Sequence, residues 1–236
     1  MTINFRKIKV LVTDIDGTLT DMERRISISA IKAIRKLEDN GIPVVLITSQ
    51  AFPIISGLAV YLGTSGPIVT ESGGVIGWPW NPVYIAEKTF DAKKLINIME
   101  NLGFRSSYSN VYRYVDFAFH RPEHVDLSDD EIKEILENAG IRNINVYDSG
   151  FAVHITPRNV DKASGLLKVL EILKMNLDEV IVVGDGRNDI PMFKVAKYSF
   201  APANAVEEIK QLATIVSDKE NGDAVLELAD LILSNR

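Results

Sequence analysis

Residues 9–21 read KVLVTDIDGTLTD, and no other stretch constrains the chain as tightly. An apolar run, Val10-Leu11-Val12, leads straight into Asp14 and Asp16. Such a run reads as a buried strand. Burying an unpaired carboxylate is costly unless the group pairs or takes up a proton. Side chains alternate along a strand, which starts Asp14 and Asp16 on one face. Gly17 permits a sharp turn directly after them. The two acids are therefore expected together at the C-terminal end of a strand, the edge where open α/β sheets bind ligands. On these residues alone, a loop of solvated acids is the alternative, and the rest of the chain has to decide.

The flanking pattern favours a parallel sheet. Residues 27–40 carry Ile28, Ile31, Ile34 and Leu37 at helical spacing, with Ser27 or Ser29 as a cap and Asn40-Gly41 as a stop. Residues 42–47 form an unbroken apolar strand that ends in Thr48-Ser49-Gln50, and a helix is expected over 53–62. A short strand at 67–69 then ends in Thr70-Glu71-Ser72-Gly73-Gly74. Alternating strands and helices with fully apolar strands imply a sheet covered on both faces. The texture changes at Gly77-Trp78-Pro79-Trp80-Asn81-Pro82, with the tryptophans expected to pack a domain junction. Helix, strand, strand follows twice. Helices are expected at 91–102 and 128–139, the second with a Ser128/Glu131 capping box. Strands are expected at 105–109, 112–120, 143–147 and 151–156, the last two joined at Asp148-Ser149-Gly150. From Asp161 the first texture returns. A helix covers 162–174, and a strand at 180–183 ends in Gly184-Asp185-Gly186-Arg187-Asn188-Asp189. Helices at 191–196, 205–213 and 224–233 alternate with short strands at 198–201 and 215–216. The expected architecture is an α/β fold, a doubly wound parallel-sheet core of residues 1–81 and 157–236, interrupted by an inserted α+β cap of residues 82–156.

Composition narrows the function classes. The chain has 236 residues, 46% hydrophobic and 25% charged, with length and apolar mass enough for a proper core. Its net charge of −6 and lack of any basic tract argue against nucleic-acid or anionic-membrane binding. With no cysteine, disulfides, thiolate catalysis and cysteine-ligated zinc are excluded. Residues 1–12 lack a signal-peptide apolar region, and the apolar-leaning stretch 42–62 is broken by polar residues and Pro53. A cytoplasmic protein that does not engage the membrane is the expectation.

In a doubly wound sheet the polar strand ends fall along one edge. Thr48 and Ser49 either cap the following helix or offer hydroxyl and backbone N–H groups to a phosphate oxygen. Lys162, in a first helical turn, opposes the helix dipole, which makes sense if an anion sits there. Asp189 is either an N-cap ahead of Pro191 or a site residue. Asp185 and Asp189 beside Asp14 and Asp16 would repel one another without a cation. Hard oxygen ligands of this kind suit Mg²⁺ better than zinc. The Gly184 loop matches neither the phosphate-loop nor the dinucleotide pattern.

DIDGTLTD, the strand ending at Thr48, Lys162 and GDGRND together resemble the four motifs of the haloacid dehalogenase-like phosphohydrolases, whose core is Rossmann-like. The position of the insert, between the second and third motifs, resembles the larger α+β (C2) cap of Cof-type phosphatases. More narrowly, LVTDIDGTLTD with LGTSGPIVTESGGVIG is similar to archaeal-type phosphoglycolate phosphatases. The resemblance covers essentially the whole chain. It implies that Asp14 is a nucleophile forming an aspartyl-phosphate and that Asp16 acts as acid and then base. It implies Mg²⁺ held by the Asp14 carboxylate, the Asp16 carbonyl and Asp185, with Asp189 binding a metal water or orienting Lys162. Thr48, Ser49, Lys162 and Asn188 would hold phosphate oxygens. A small phosphorylated metabolite is the implied partner, with the chain a monomer or homodimer. Three departures stand out: Thr48-Ser49-Gln50 where many relatives have Thr-Gly-Arg, Glu71-Ser72-Gly73 where many have Glu-Asn-Gly, and Arg187 where an acid is common.

The cap would set specificity. Alternation over 112–120 predicts Tyr112, Tyr114, Asp116, Ala118 and His120 on one face. It predicts Arg113, Val115, Phe117 and Phe119 on the other, which turns Arg113 away from the site. His154 reads as structural. The leading expectation is hydrolysis of 2-phosphoglycolate. A broad sugar-phosphate or nucleotide phosphatase is the second enzyme reading. A phosphoryl-accepting signalling domain is the reading from another class, disfavoured by the chain's length and its insert.

Overall fold

The opening apolar run is a strand. In this computed structural model, which describes residues 3–235, β1 (Val10–Thr13) is buried along its whole length. It is followed by α1 (Ile28–Asp39), β2 (Val44–Leu46), α2 (Phe52–Leu62) and β3 (Ile68–Thr70). A hairpin of β4 (Val75–Trp78) and β5 (Asn81–Ile85) precedes α3 (Ala92–Asn101), β6 (Arg105–Ser106) and β7 (Phe117–His120). Next come α4 (Asp129–Asn138), β8 (Ile144–Asp148) and β9 (Val153–Pro157). The chain closes with α5 (Lys162–Leu173), β10 (Val180–Val183), α6 (Ile190–Val195) and β11 (Ser199–Ala201), then α7 (Glu207–Leu212), β12 (Ile215–Val216) and α8 (Asn221–Ser234).

Five strands form a parallel sheet in the order β12-β11-β10-β1-β2. A parallel bridge between Ile47 and Val69 brings β3 alongside β2. Both faces are covered, so the central strands are apolar throughout rather than alternating. Leu11, Ile181 and Val183 pack with Ile34, Leu37, Ile55 and Leu228 of α1, α2 and α8. Val10, Val12, Val180 and Val182 pack on the other side with Leu166, Val169, Phe193 and Ile209 of α5, α6 and α7. This is the doubly wound core expected from the strand and helix order. Ser27 caps α1 by accepting from the Ala30 N–H at 3.0 Å, a contact of the kind worth about 1 kcal/mol.

The remaining chain builds a four-stranded antiparallel sheet, β6-β7-β9-β8, with α3 and α4 on one face. Its interior joins Phe117, Phe119, Val153 and Ile155 to Leu95, Met99, Ile132 and Leu136. The Ser128/Glu131 capping box is present at α4. The order helix, strand, strand, twice over, is as expected.

Three local expectations fail. Residues 107–109 and 112–116 are not strand: β6 stops at Ser106, a 3₁₀ segment spans Tyr108–Tyr112, and β7 begins only at Phe117. The β4–β5 hairpin was not foreseen, because Gly77, Pro79 and Pro82 mask a strand pattern. Trp78 and Trp80 do not pack a domain junction. They sit on the exposed hairpin end, where the Trp78 indole N–H donates to the Ser65 carbonyl and the Trp80 N–H donates to the Ser56 hydroxyl of α2.

Candidate active site

The edge formed by the ends of β1, β2 and β10 gathers the charged groups. Asp14 lies just past β1, its N–H bonded to the Val183 carbonyl at 2.9 Å. Lys162, the first residue of α5, is 1% exposed and reaches across to this edge. Its ammonium donates to Asp14 Oδ1 at 2.5 Å and to Asp189 Oδ1 at 2.6 Å. Asp189 precedes α6, yet its side chain makes no capping bond there. Its Oδ2 instead accepts from the N–H groups of Asp185 and Gly186, both at 3.0 Å. The capping reading of Asp189 is thereby replaced by an ion-pairing one.

Carboxylate oxygens of Asp14, Asp185 and Asp189 lie within 4.8 Å of one another. Three carboxylates against one ammonium leave two negative charges uncompensated. The protonation tendencies agree with this surplus. Burial lifts the Asp14 carboxyl well above its usual range, and Asp189 and Asp185 add to the effect while Lys162 opposes it. Burial, with Asp189 beside it, pushes Asp185 up to about 7. Burial works against the Lys162 charge, but Asp14 and Asp189 hold its pKa above the ordinary value. A divalent cation with a preference for oxygen ligands fits this surplus and this donor set.

The turn after β1 is shaped to the cluster. Gly17 has φ +89°, and a Cβ there would lie 2.3 Å from Asp185 Oδ2. The Thr18 hydroxyl donates to Asp185 Oδ1 at 2.6 Å, and Asn204 donates to the Gly17 carbonyl at 2.8 Å. Thr18 and Asn204 were missed. Thr18 stood inside a quoted motif without a role, and nothing in the sequence ties Asn204 to residue 17.

Asp16 takes a separate position. Both acids lie beyond the last residue of β1, so strand alternation does not govern them. The Asp16 carboxylate is outside the three-acid group. Its Oδ1 accepts from Arg24 Nε at 2.9 Å, and its Oδ2 accepts from Gln50 Nε2 at 3.3 Å. Gln50, the departure in the second motif, thus faces Asp16. Arg24 also lies over the Phe151 ring at 5.0 Å, and no motif signals it.

Thr48 and Ser49 are buried beside this edge, and the N-cap of α2 is Ala51, without a side-chain cap bond. The helix-capping role weighed for these hydroxyls is therefore absent. Thr48 Oγ1 accepts from the Gln50 N–H at 3.1 Å. Thr48, Ser49 and Asn188 line one cavity of about 440 Å³ together with Asp14, Asp16 and Asp185. Lys162 reaches Asp14 of this cavity from a second, neighbouring one of about 240 Å³ that it lines with Ser72, Tyr147 and Asn188. Arg187 is exposed and pairs with Glu208 at 3.1 Å.

The roof of the cavity comes from the four-stranded sheet and the turn before it: Ser109, Arg113, Ala118, His120 and His154. Arg113 does not turn away from the site as alternation predicts. Its Nη1 donates to the Ser49 carbonyl at 2.9 Å and to the Asp116 carbonyl at 3.0 Å. Glu71, in a left-handed stretch (φ +49° at Glu71, +60° at Ser72), reaches up from the other side. Its Oε2 accepts the N–H groups of Tyr114, Val115 and Asp116 at 2.8, 2.8 and 3.2 Å. The Ser72 hydroxyl donates to Asp116 Oδ2 at 2.6 Å. The Glu71-Ser72-Gly73 segment thus joins the two sheets.

With this geometry in hand, three comparisons bear on the chain. It matches the haloacid dehalogenase-like hydrolase family over residues 11–126 and 109–228. A Methanopyrus kandleri protein named phosphoglycolate phosphatase is 33% identical over 225 residues, covering 92% of this chain and 93% of its own. One of the same name from Metallosphaera sedula is 35% identical, covering 96% and 100%. A crystal structure from Thermoplasma acidophilum superposes with a TM-score of 0.84 at 29% identity, over 96% of this chain and 98% of its own. A Bacteroides thetaiotaomicron haloacid dehalogenase-like hydrolase shares the fold, with a TM-score of 0.77 at 23% identity, over 95% and 99%.

Proposed function

The chain belongs to the haloacid dehalogenase-like hydrolase family, and on that premise we propose that it is a Mg²⁺-dependent phosphomonoesterase hydrolysing 2-phosphoglycolate to glycolate and phosphate. The observation that carries the reading is the asymmetry of the two opening acids. Asp14 sits with Lys162, Asp185 and Asp189, whereas Asp16 stands apart with its carboxylate at the cavity. This asymmetry supports a reading in which Asp14 attacks and Asp16 moves protons. The substrate choice is supported by the relatives that bear the phosphoglycolate phosphatase name.

The Asp14 carboxylate attacks phosphorus and the ester P–O bond breaks. Asp16, protonated, gives its proton to the departing glycolate oxygen. Asp16 then takes a proton from water as that water attacks the aspartyl-phosphate, releasing phosphate and restoring Asp14. Lys162 keeps Asp14 oriented and offsets charge as the dianionic phosphoryl group approaches. Thr48, Ser49 and Asn188 donate to the phosphoryl oxygens. Mg²⁺, when bound, would be held by the Asp14 and Asp185 carboxylates and the Asp16 carbonyl, with Asp189 nearby, and would supply charge neutralisation for the transferred group. In this reading residues 82–156 form the cap over a core of residues 1–81 and 157–236.

Phosphate release across a panel of esters, with Mg²⁺ and with EDTA, tests the reading. The panel holds 2-phosphoglycolate, ethyl phosphate, sugar phosphates and nucleoside monophosphates. The expected result is Mg²⁺-dependent release with the highest kcat/KM for 2-phosphoglycolate. Asp14→Asn should reduce turnover by at least about a thousandfold. A sugar phosphate or nucleotide at the top would establish the broader phosphatase instead. Retention of activity in Asp14→Asn would remove the nucleophile assignment.

A further inference from the structure

A second charged cluster lies in the roof of the cavity, and the chemistry above does not use it. Asp116 is fully buried at its centre. Its Oδ1 is 2.8 Å from His154 Nδ1 and 3.6 Å from Arg113 Nη1, and its Oδ2 takes the Ser72 hydroxyl at 2.6 Å. Burial alone would raise its pKa. The charges of His154 and Arg113 and the bonds from His154 and Ser72 outweigh that and hold it below the usual value.

Arg113 and His154 both border the cavity. Arg113 has a side chain only 2% exposed, fixed by Ser109 on Nε and by Ser49 and Asp116 carbonyls on Nη1. Its Nη2 has no acceptor among the described residues. The His154 ring stacks on Tyr147 at 5.1 Å, and its Nε2 likewise has no partner there. Asp116 thus faces a guanidinium on one side and an imidazole nitrogen on the other. Two nitrogens in this buried wall, Arg113 Nη2 and His154 Nε2, are therefore without a protein partner among the described residues.

Other cations at the cavity are already engaged or solvated. Arg24 is bound to Asp16, and Arg187 is 75% exposed and paired with Glu208. Asp148, the acid on the same wall, is paired with Arg121. The Ser49 carbonyl that anchors Arg113 neighbours Thr48, assigned above to the phosphoryl group. An acid whose carboxylate is two carbons from its phosphate oxygen would present that carboxylate next to the phosphoryl pocket.

We propose that Arg113 and His154, mounted on buried Asp116, form an anion subsite that receives the carboxylate of the substrate and sets the preference for phosphorylated acids over neutral phosphate esters. The inference rests on the phosphoglycolate reading. Arg113 donates through its planar fork, and Asp116 fixes the His154 ring so that its Nε2 lies in the same wall. Sites built to bind a polar group discriminate strongly against analogues that lack it.

The experiment measures the ratio of kcat/KM for 2-phosphoglycolate to that for ethyl phosphate, which keeps the chain length and lacks the carboxylate. Wild type, Arg113→Met, Arg113→Lys and His154→Gln are compared with Mg²⁺ present. The wild-type ratio is expected to be large, and Arg113→Met should lower it by about 30-fold or more. Arg113→Lys should recover part of the loss, and His154→Gln should show a smaller loss. If Arg113→Met does not fold, the other two variants decide. A wild-type ratio near one overturns the phosphoglycolate reading itself. A large wild-type ratio that every folded variant keeps within about threefold leaves that reading standing and overturns the subsite alone. So does an equal loss toward both esters, which is the mark of a merely structural role.

Discussion

Lys162→Met tests whether the floor of the cavity is an electrostatic compromise centred on one ammonium. The lysine is 1% exposed and bonds two buried carboxylates, Asp14 and Asp189, at 2.5 and 2.6 Å. Methionine keeps much of the volume and removes the charge. Deleting one partner of a buried ion pair costs about 3–5 kcal/mol, because the remaining charge is left unpaired. For a chain of this size that loss lowers Tm by roughly 6–20 °C. Asp189 keeps the N–H groups of Asp185 and Gly186, so most of the strain should fall on Asp14. Orphaned carboxylates have raised pKa values and can shed the penalty by protonation. The deficit against wild type should therefore shrink toward pH 4 and grow as pH rises. Urea unfolding in EDTA at several pH values measures it, and the same titration in Mg²⁺ should show a smaller gap, since a bound cation offsets the stranded charge. Adding Asp14→Asn to Lys162→Met should be less destabilising than Lys162→Met alone, a coupling visible in a double-mutant cycle. In the folded variant kcat should drop by about 10²–10³-fold through loss of one preorganised cation. A Lys162→Met protein within about 1 kcal/mol of wild type in EDTA, with no pH dependence in the difference, would refute the argument.

Two further perturbations follow from the same geometry. Gly17→Ala forces a side chain into φ +89° and into Asp185 Oδ2, so it should cost at least about 1 kcal/mol and raise the Mg²⁺ concentration needed for half-maximal activity. Unfolding and Mg²⁺ titrations check both effects, and an unchanged Mg²⁺ requirement would separate Gly17 from the metal site. Glu71 is pushed up to about 7 by burial, against the opposing bonds from the Val115 and Asp116 N–H groups. A folded-state carboxyl raised above its unfolded value destabilises the fold as it ionises. Wild-type stability should therefore fall between about pH 4.5 and 7, by at most about 3 kcal/mol from this group, and level off above. Asp185, pushed up to about 7, adds to that slope in EDTA. Measured in saturating Mg²⁺, Glu71→Gln should flatten most of the remaining slope, and a slope identical to wild type would remove Glu71 as its source.

The central strands and the floor of the site were legible in the sequence for one physical reason. A strand covered on both faces carries no polar residue until it ends, so Asp14, Thr48 and Asp185 stood out as polar groups at the ends of apolar runs. Lys162 and Asp189 stood out because a lysine opposes the dipole at a helix start and an acid followed a tight glycine bend. The roof was misread where a period-2 pattern coincided with something other than a strand. Residues 112–116 alternate, but their backbone N–H groups at 114–116 go to Glu71 rather than to a neighbouring strand. Arg113 falls before β7, so the strand's alternation, which correctly separates Phe117 and Phe119 from Ala118, says nothing about it. The β4–β5 hairpin was hidden because its edge strand is half exposed and interrupted by proline.

The floor and roof together resolve a conflict in the composition. The chain carries a net charge of −6, and the proposed substrate is itself a multiple anion. Long-range attraction cannot be the source of affinity, since the overall field is unfavourable and is screened within about 8 Å at physiological salt. The favourable charge has to be local and desolvated. At the floor Lys162 offsets only part of the carboxylate charge, so a divalent cation bound there would supply the rest, and the Arg113 guanidinium stands in the wall above. Each positive group is held by an aspartate, Asp14 and Asp189 below and Asp116 above. That pairing lets a cation persist in a buried wall before any substrate arrives. The paired aspartates also prevent either cluster from acting as a general anion trap. On the proposed subsite, an occupant that carries both a phosphate and a carboxylate engages both clusters, which a phosphate or a carboxylate alone does not do.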